Sequence, residues 1–201
     1  MARPARNLLD YSAYLTLEQT SDVKHHFLDG ELWAMSGGTI HHSALQTRMI
    51  VAIGGALRGS PCAPYASDLR LVIPATGDAC YPDVTVVCGP IASPPYDPDA
   101  VTNPTVLVEV LSPSSEAYDR GRKFEKYRTL PTLREYVLVA QDRAHVEVFR
   151  RGTDGLWTLH EHGRGGEVHL ESIGVRVSMD ELYAGVVDAE VTLPPPSGPL
   201  G

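Results

Sequence analysis

Two short runs, "PDVTVV" at 82–87 and "TVLVEVL" at 105–111, restrict the folds open to this chain more than any other stretch. Both are β-branched and apolar, as buried strands are, and each carries one carboxylate, Asp83 and Glu109. The intervening "GPIASPPYDPDAVTNP" is rich in proline and reads as a surface loop. Side chains on a strand alternate faces. Asp83, Thr85 and Val87 therefore share one face, and Val84 and Val86 the other. Leu107, Glu109 and Leu111 likewise oppose Val106, Val108 and Val110. Glu109 thus falls in the middle of an apolar strand, where a lone carboxylate is costly. Either a nearby Arg or Lys pairs with it, or Asp83 and Glu109 sit on adjacent strands and hold a metal ion.

The remaining pattern alternates helix and strand, so the class is α+β or α/β. "TLEQ" spells a capping box with Thr16 as N-cap and Gln19 three residues on. "HHFLDGELWAM" reads as a hairpin turning at Asp29-Gly30. Leu45, Met49, Ile53, Ala56 and Leu57 have helical spacing, which predicts a helix over 41–58. "SDLRLVIP" alternates and stops at Pro74, and "ATGDA" reads as a turn. "SPSSEAYDRGRKFEKYRTLP" is a helix opened by serines and halted before Pro131. "EYVLVA", "HVEVFRR" and "LWTLHEH" are strands joined at "QDR" and "GTDG", and "SMDELYAGV" is a last short helix. The pattern suggests one domain over 1–190 and an extended or disordered proline-rich tail at 191–201.

With 17 Lys and Arg against 25 Asp and Glu, the net charge is −8. Proteins held on nucleic acid by electrostatics alone are basic, so any such role must rest on a local basic patch, a metal ion, or both. No apolar run approaches a membrane span, and the first residues lack the long apolar stretch of a signal peptide. Cys62, Cys80 and Cys88 are odd in number and lack metal-type spacing, which predicts reduced thiols and a cytoplasmic protein.

Magnesium takes carboxylate oxygens and keeps several waters, so two carboxylates on neighbouring strands suit it. Such a site polarises a phosphate and acidifies a water, and a nearby lysine stabilises the developing charge. The usual lysine position, two residues after the glutamate, is Leu111 here. The following helix offers Lys123 and Lys126. At about 100° per residue, Phe124, Tyr127 and Leu130 form an apolar arc. Lys123 falls inside it and Lys126 farther out, toward solvent. Arg120 also falls near the arc, and Asp119 could bind Lys123 as a simple i,i+4 pair. Glu31 flanks the hairpin turn, and His41 and His42 open the long helix. Taken alone, these three read as exposed polar residues.

Together these residues resemble the PD-(D/E)XK nuclease superfamily, with its restriction-endonuclease-like fold, and within it the Uma-two family. The matching pieces are "DGELWAMSGGTIHHSALQ", "YPDVTVV", "PTVLVEVLSPSSEAYDRGRKFEKY" and "REYVLV", spread over residues 29–139. The resemblance implies a mixed β-sheet flanked by helices and a DNA endonuclease dependent on Mg2+ or Mn2+. It makes Asp83 and Glu109 the metal ligands, Lys123 the catalytic lysine displaced to a helix, Glu31 an additional acid, and His42 the family's histidine at the start of the long helix. Nucleases of this fold often pair so that two sites cut two strands, which points to a homodimer. Two other readings stay open: a catalytically silent module that keeps the fold for binding or assembly, and a hydrolase of small phosphorylated substrates.

Overall fold

The computed structural model describes residues 8–35 and 37–187. Asp29-Gly30 turns its first hairpin, β1 (His25–Leu28) against β2 (Glu31–Ala34). Asp29 has φ 53° and Gly30 φ 80°, the left-handed pair that a two-residue type I′ turn needs. The helix before it does not begin at Thr16. α1 is Tyr11–Thr20, capped by Asp10, whose carboxylate accepts the Ala13 amide at 2.8 Å. Thr16 lies inside the helix with its hydroxyl on the Ser12 carbonyl, the bond to i−4 that threonine makes within helices.

α2 (Ile40–Ala56) matches the expected long helix, with Thr39 as its cap and Leu45, Met49 and Ile53 buried at four-residue spacing. Six strands follow: β3 (Cys62–Ala66), β4 (Arg70–Ile73), β5 (Asp78–Cys80), β6 (Val84–Cys88), β7 (Ala100–Val101) and β8 (Val106–Leu111). "ATGDA" is thus only half a turn, because Asp78 and Ala79 already pair with β4. The proline-rich stretch is not wholly a surface loop either. Its Asp97 is buried, gripped by Arg70 Nε and Nη2 at 2.7 Å each. Next comes a continuous helix, α3. It runs through Glu116–Tyr118, a π-turn at Asp119–Lys123 and a last α-turn at Phe124–Tyr127. The strands β9 (Glu135–Ala140), β10 (His145–Arg151), β11 (Trp157–Gly163), β12 (Glu167–Leu170) and β13 (Val175–Ser178) precede a short α4 (Met179–Tyr183).

The main sheet has the order β11-β10-β9-β8-β6-β3. It is mixed, because β8 runs parallel to β9 and antiparallel to β6. A five-stranded sheet, β2-β1-β5-β4-β7, and the β12-β13 pair complete the α+β architecture. Both faces of the main sheet are covered, which is why "VLVEVL" is buried at every position. Val84, Val86, Val106, Val108 and Val110 pack with Leu45, Met49 and Ile53 of α2. Val87, Leu107 and Leu111 pack with Tyr127, Leu130 and Tyr136 on the opposite face. The alternation expected for β6 and β8 is therefore the division between two cores.

The cysteines depart from the expectation of three free thiols. Cys62 and Cys88 face each other in the β3–β6 register and form a disulfide, leaving Cys80 free and buried. Strand register brings the two sulfurs together, and a separation of 26 residues does not reveal it. The reduced set that suggested a cytoplasmic protein is thus absent. Among the described residues no helix is long and apolar enough to cross a membrane. The tail expected at 191–201 lies outside the described residues.

Candidate active site

β6 and β8 pair with Val84 opposite Val108. Extended by one residue, that antiparallel register sets Asp83 opposite Glu109, a placement that brings Cβ atoms to about 5 Å. Asp83 Oδ2 accepts the Val110 amide at 2.7 Å and lies 3.2 Å from His42 Nε2. Pro82 sits where the strand begins and no ladder amide is needed. From α2, Gln46 Nε2 donates to the Asp83 carbonyl at 2.9 Å. His42 is raised above its ordinary value by its bond to Asp83, against burial, and the fields of Asp83, Glu109 and Asp119 add to this.

Glu109 is 5% exposed, and its Oε1 takes Lys123 Nζ at 2.8 Å and the Tyr127 hydroxyl at 2.8 Å. Burial pushes its carboxyl up to about 8; Lys123 opposes the shift, while Asp119 and Asp83 reinforce it. Lys123 Nζ also reaches Asp119 Oδ1 at 3.0 Å. Burial alone would lower the ammonium, but Glu109 and Asp119 more than offset it and hold it above its ordinary value. Glu109 thus stands opposite Asp83 on the neighbouring strand and is paired with a lysine.

The π-turn bears directly on this pairing. The Tyr136 hydroxyl donates to the Asp119 carbonyl at 3.1 Å, within the stretch that departs from the α-helical ladder. The expectation for Lys126 is corrected: it does not point to solvent. At about 100° per residue it lies only about 40° beyond Leu130, at the border of the apolar arc. There it turns inward, 8% exposed, with Nζ 2.7 Å from Asp78 and 2.8 Å from Asp29. Asp78 is further held by the Asp29 amide at 2.7 Å and by the Thr76 hydroxyl. Lys126 thus clamps the first hairpin and β5 to α3.

Glu31 stands next to the Asp29-Gly30 turn, half-buried and paired across the hairpin with Leu28. A residue that sequence reasoning passed over is His26. It is partly buried in β1, its Nδ1 accepts the Tyr81 amide at 3.3 Å, and the charges it feels are those of Lys123 and Asp83. Only its place in "HHFLDG" could have marked it, and a doublet of histidines carries no direction.

The contacts of Asp83 fall on Oδ2 and those of Glu109 on Oε1. Two opposed carboxylates, one steadied by a main-chain amide and a histidine, are a donor set that fits a hard divalent ion.

A profile of the Uma2 family, described as "Putative restriction endonuclease", matches residues 11–180. The chain belongs to the Uma2 family. It is 35% identical over 173 residues to uncharacterized protein slr1290 of Synechocystis sp. (strain ATCC 27184 / PCC 6803 / Kazusa), covering 86% of this chain and 90% of that protein. To sll1609, an uncharacterized protein of the same organism, it is 32% identical over 164 residues, 81% of this chain and 93% of the relative. The crystal structure of a "putative nuclease belonging to DUF820" from Anabaena variabilis superposes with a TM-score of 0.72. That match covers 89% of this chain and 99% of the other at 15% identity, a likeness of fold. The fold is thus the restriction-endonuclease-like one that the family resemblance implied.

Proposed function

We propose that this Uma2 protein is a divalent-metal-dependent endonuclease that hydrolyses phosphodiester bonds of DNA. The observation that carries the reading is the β6–β8 register with Asp83 opposite Glu109, together with Lys123 Nζ 2.8 Å from Glu109. Asp83 and Glu109 would hold Mg2+ or Mn2+. The ion supplies Lewis-acid polarisation of a phosphoryl oxygen and a more acidic water. Lys123 brings a buried positive charge to where negative charge develops on the phosphate. His42 and the Val110 amide fix the Asp83 carboxylate, and Asp119 and Tyr127 fix Lys123 and Glu109. Glu31 serves as the additional acid from the hairpin. The protein acts as a homodimer, presenting one site to each strand of a duplex. Local chemistry of this kind suits a chain whose net charge of −8 cannot hold DNA by bulk attraction.

The test is nicking of supercoiled plasmid with Mg2+ or Mn2+, against EDTA and against Asp83→Ala, with Mn2+ binding measured on both proteins. Metal-dependent nicking lost in Asp83→Ala supports the reading. Absence of cleavage and of Mn2+ binding in the unaltered protein rejects it.

A second reading, a silent module with the same fold, is favoured by one observation. Lys123 is already paired with both Glu109 and Asp119, as in a structural ion cluster. The Mn2+ measurement separates the two, because a silent module has no reason to bind the ion.

A further inference from the structure

β1 pairs with β5 at Phe27 opposite Ala79. One residue along, that antiparallel register sets His26 beside Cys80, on the face away from Phe27 and Ala79. Phe27 and Ala79 enter the core that holds Tyr14 and Val72. Cys80 enters the other core, where its Sγ lies 3.3 Å from the Tyr127 hydroxyl that donates to Glu109. Backbone register therefore sets His26 beside Cys80, which Tyr127 links to Glu109, and the charges that act on its ring are those of Lys123 and Asp83.

The Tyr81 amide, two residues before Asp83, fixes the ring by donating to Nδ1 at 3.3 Å. With Nδ1 an acceptor, the neutral ring carries its proton on Nε2. Burial, reinforced by the Lys123 charge, lowers the imidazolium value to about 3, so the ring is neutral around pH 7. A ring in this state presents one uncharged N–H. It cannot coordinate a cation, since Nδ1 is occupied and Nε2 is protonated. What such a donor suits is an anionic oxygen, for which the bond is charge-assisted.

We propose that His26 is a substrate-contacting residue of this site, its Nε2–H donating to a non-bridging oxygen of the phosphodiester that meets Asp83 and Glu109. The proposal rests on the nuclease reading. Lys123 is shared between Glu109 and Asp119, so a neutral donor adds a phosphate contact without another buried charge.

The test uses the full chain, His26→Phe, and His26→Gln, whose amide keeps an N–H donor on a similar side chain. Plasmid cleavage with Mg2+ is compared with Mn2+ affinity. The 15N–1H signal of His26 Nε2 is followed as a short DNA duplex is added with Ca2+ in place of Mg2+. His26→Phe should cut roughly 10²-fold more slowly with Mn2+ affinity unchanged, by analogy with the loss of one transition-state donor. His26→Gln should restore most of the rate, and the Nε2–H signal should move on duplex binding. If the phenylalanine variant does not fold, the glutamine variant and the signal decide. Wild-type cleavage by His26→Phe, a loss of its Mn2+ affinity, or duplex binding that leaves the signal unmoved each overturns the role of His26 alone. A wild-type protein that neither cleaves nor binds DNA overturns the nuclease reading, and this proposal with it.

Discussion

Lys123 Nζ lies 2.8 Å from Glu109 Oε1, so a helix side chain neutralises a carboxylate in the middle of a buried strand. Removing the lysine strands two buried carboxylates, Glu109 and Asp119. Lys123→Ala should lower cleavage by roughly 10²-fold, as loss of a transition-state donor does. Mn2+ should still bind, because ammonium is not a ligand, though with its pH dependence displaced upward, since Lys123 holds the Glu109 carboxyl down. The substitution should also destabilise the fold by about 3–5 kcal/mol. That deficit should widen from pH 6 to pH 8.5, because protonation relieves the stranded carboxylates at the acid end. Urea denaturation at the two pH values, beside a plasmid assay, measures both effects. An equal deficit at both pH values argues against a buried charge.

Lys126 makes a different prediction from the one its sequence position gives. Lys126→Ala should cost about 3 kcal/mol of stability, since it leaves the buried Asp78 without its cation. Lys126→Met combined with Asp78→Asn should recover part of that loss. A single variant as stable as wild type in urea would return Lys126 to the role of a surface residue.

The contrast between the two lysines marks what the sequence made legible. β-branching and alternation located β6, β8 and their two faces, and Asp29-Gly30 located the hairpin, because those signals are local. The four-residue spacing of Leu45, Met49 and Ile53 located α2 for the same reason. The inward turn of Lys126 was hidden because its partners, Asp78 of β5 and Asp29 of the hairpin, are far from it in sequence. β3, β5, β12 and β13 are short and take their definition from their partners rather than from their own composition. His26 owes its place to the β1–β5 register, and the Cys62–Cys88 bond to the β3–β6 register. Such long-range pairings are invisible along one strand.

Glu109 links the site to pH. Its folded value, about 8, lies above the ordinary 4.5. A carboxyl raised in this way contributes its stability below the ordinary value and loses it as pH rises through about 8. Protons and metal compete for the same oxygens, so Mn2+ affinity should climb by up to about tenfold per pH unit toward pH 8 and then level off. Calorimetric titration at several pH values, with Glu109→Gln as the control lacking the slope, tests this. A flat affinity between pH 6 and 8 would falsify the assignment of Glu109 as a ligand.

Thr85 is fully buried on the face it shares with Asp83, and its hydroxyl has no hydrogen-bond partner. Thr85→Val keeps the shape and removes the stranded group. It should raise stability by about 1 kcal/mol. A lower melting temperature in the variant would mean that the hydroxyl is satisfied in solution.

The disulfide is checked by counting thiols. Alkylation in denaturant without reductant should label Cys80 alone, and labelling of all three cysteines should require reduction. Cys62→Ala with Cys88→Ala should lower stability by about 2–4 kcal/mol. Three reactive thiols in the unreduced protein would restore the reduced set.

The π-turn in α3 behaves like an added tooth on a gear. Lys123 engages β8 and Lys126 engages β5, both lysines lying at or just past the end of that turn. Deleting Gly121, inside the π-turn, would therefore rotate the two lysines as a unit about the helix axis relative to Glu116–Tyr118. Asp119, Lys123 and Tyr127 are thus four residues apart in sequence but unevenly spaced in angle, and the two cations share one setting.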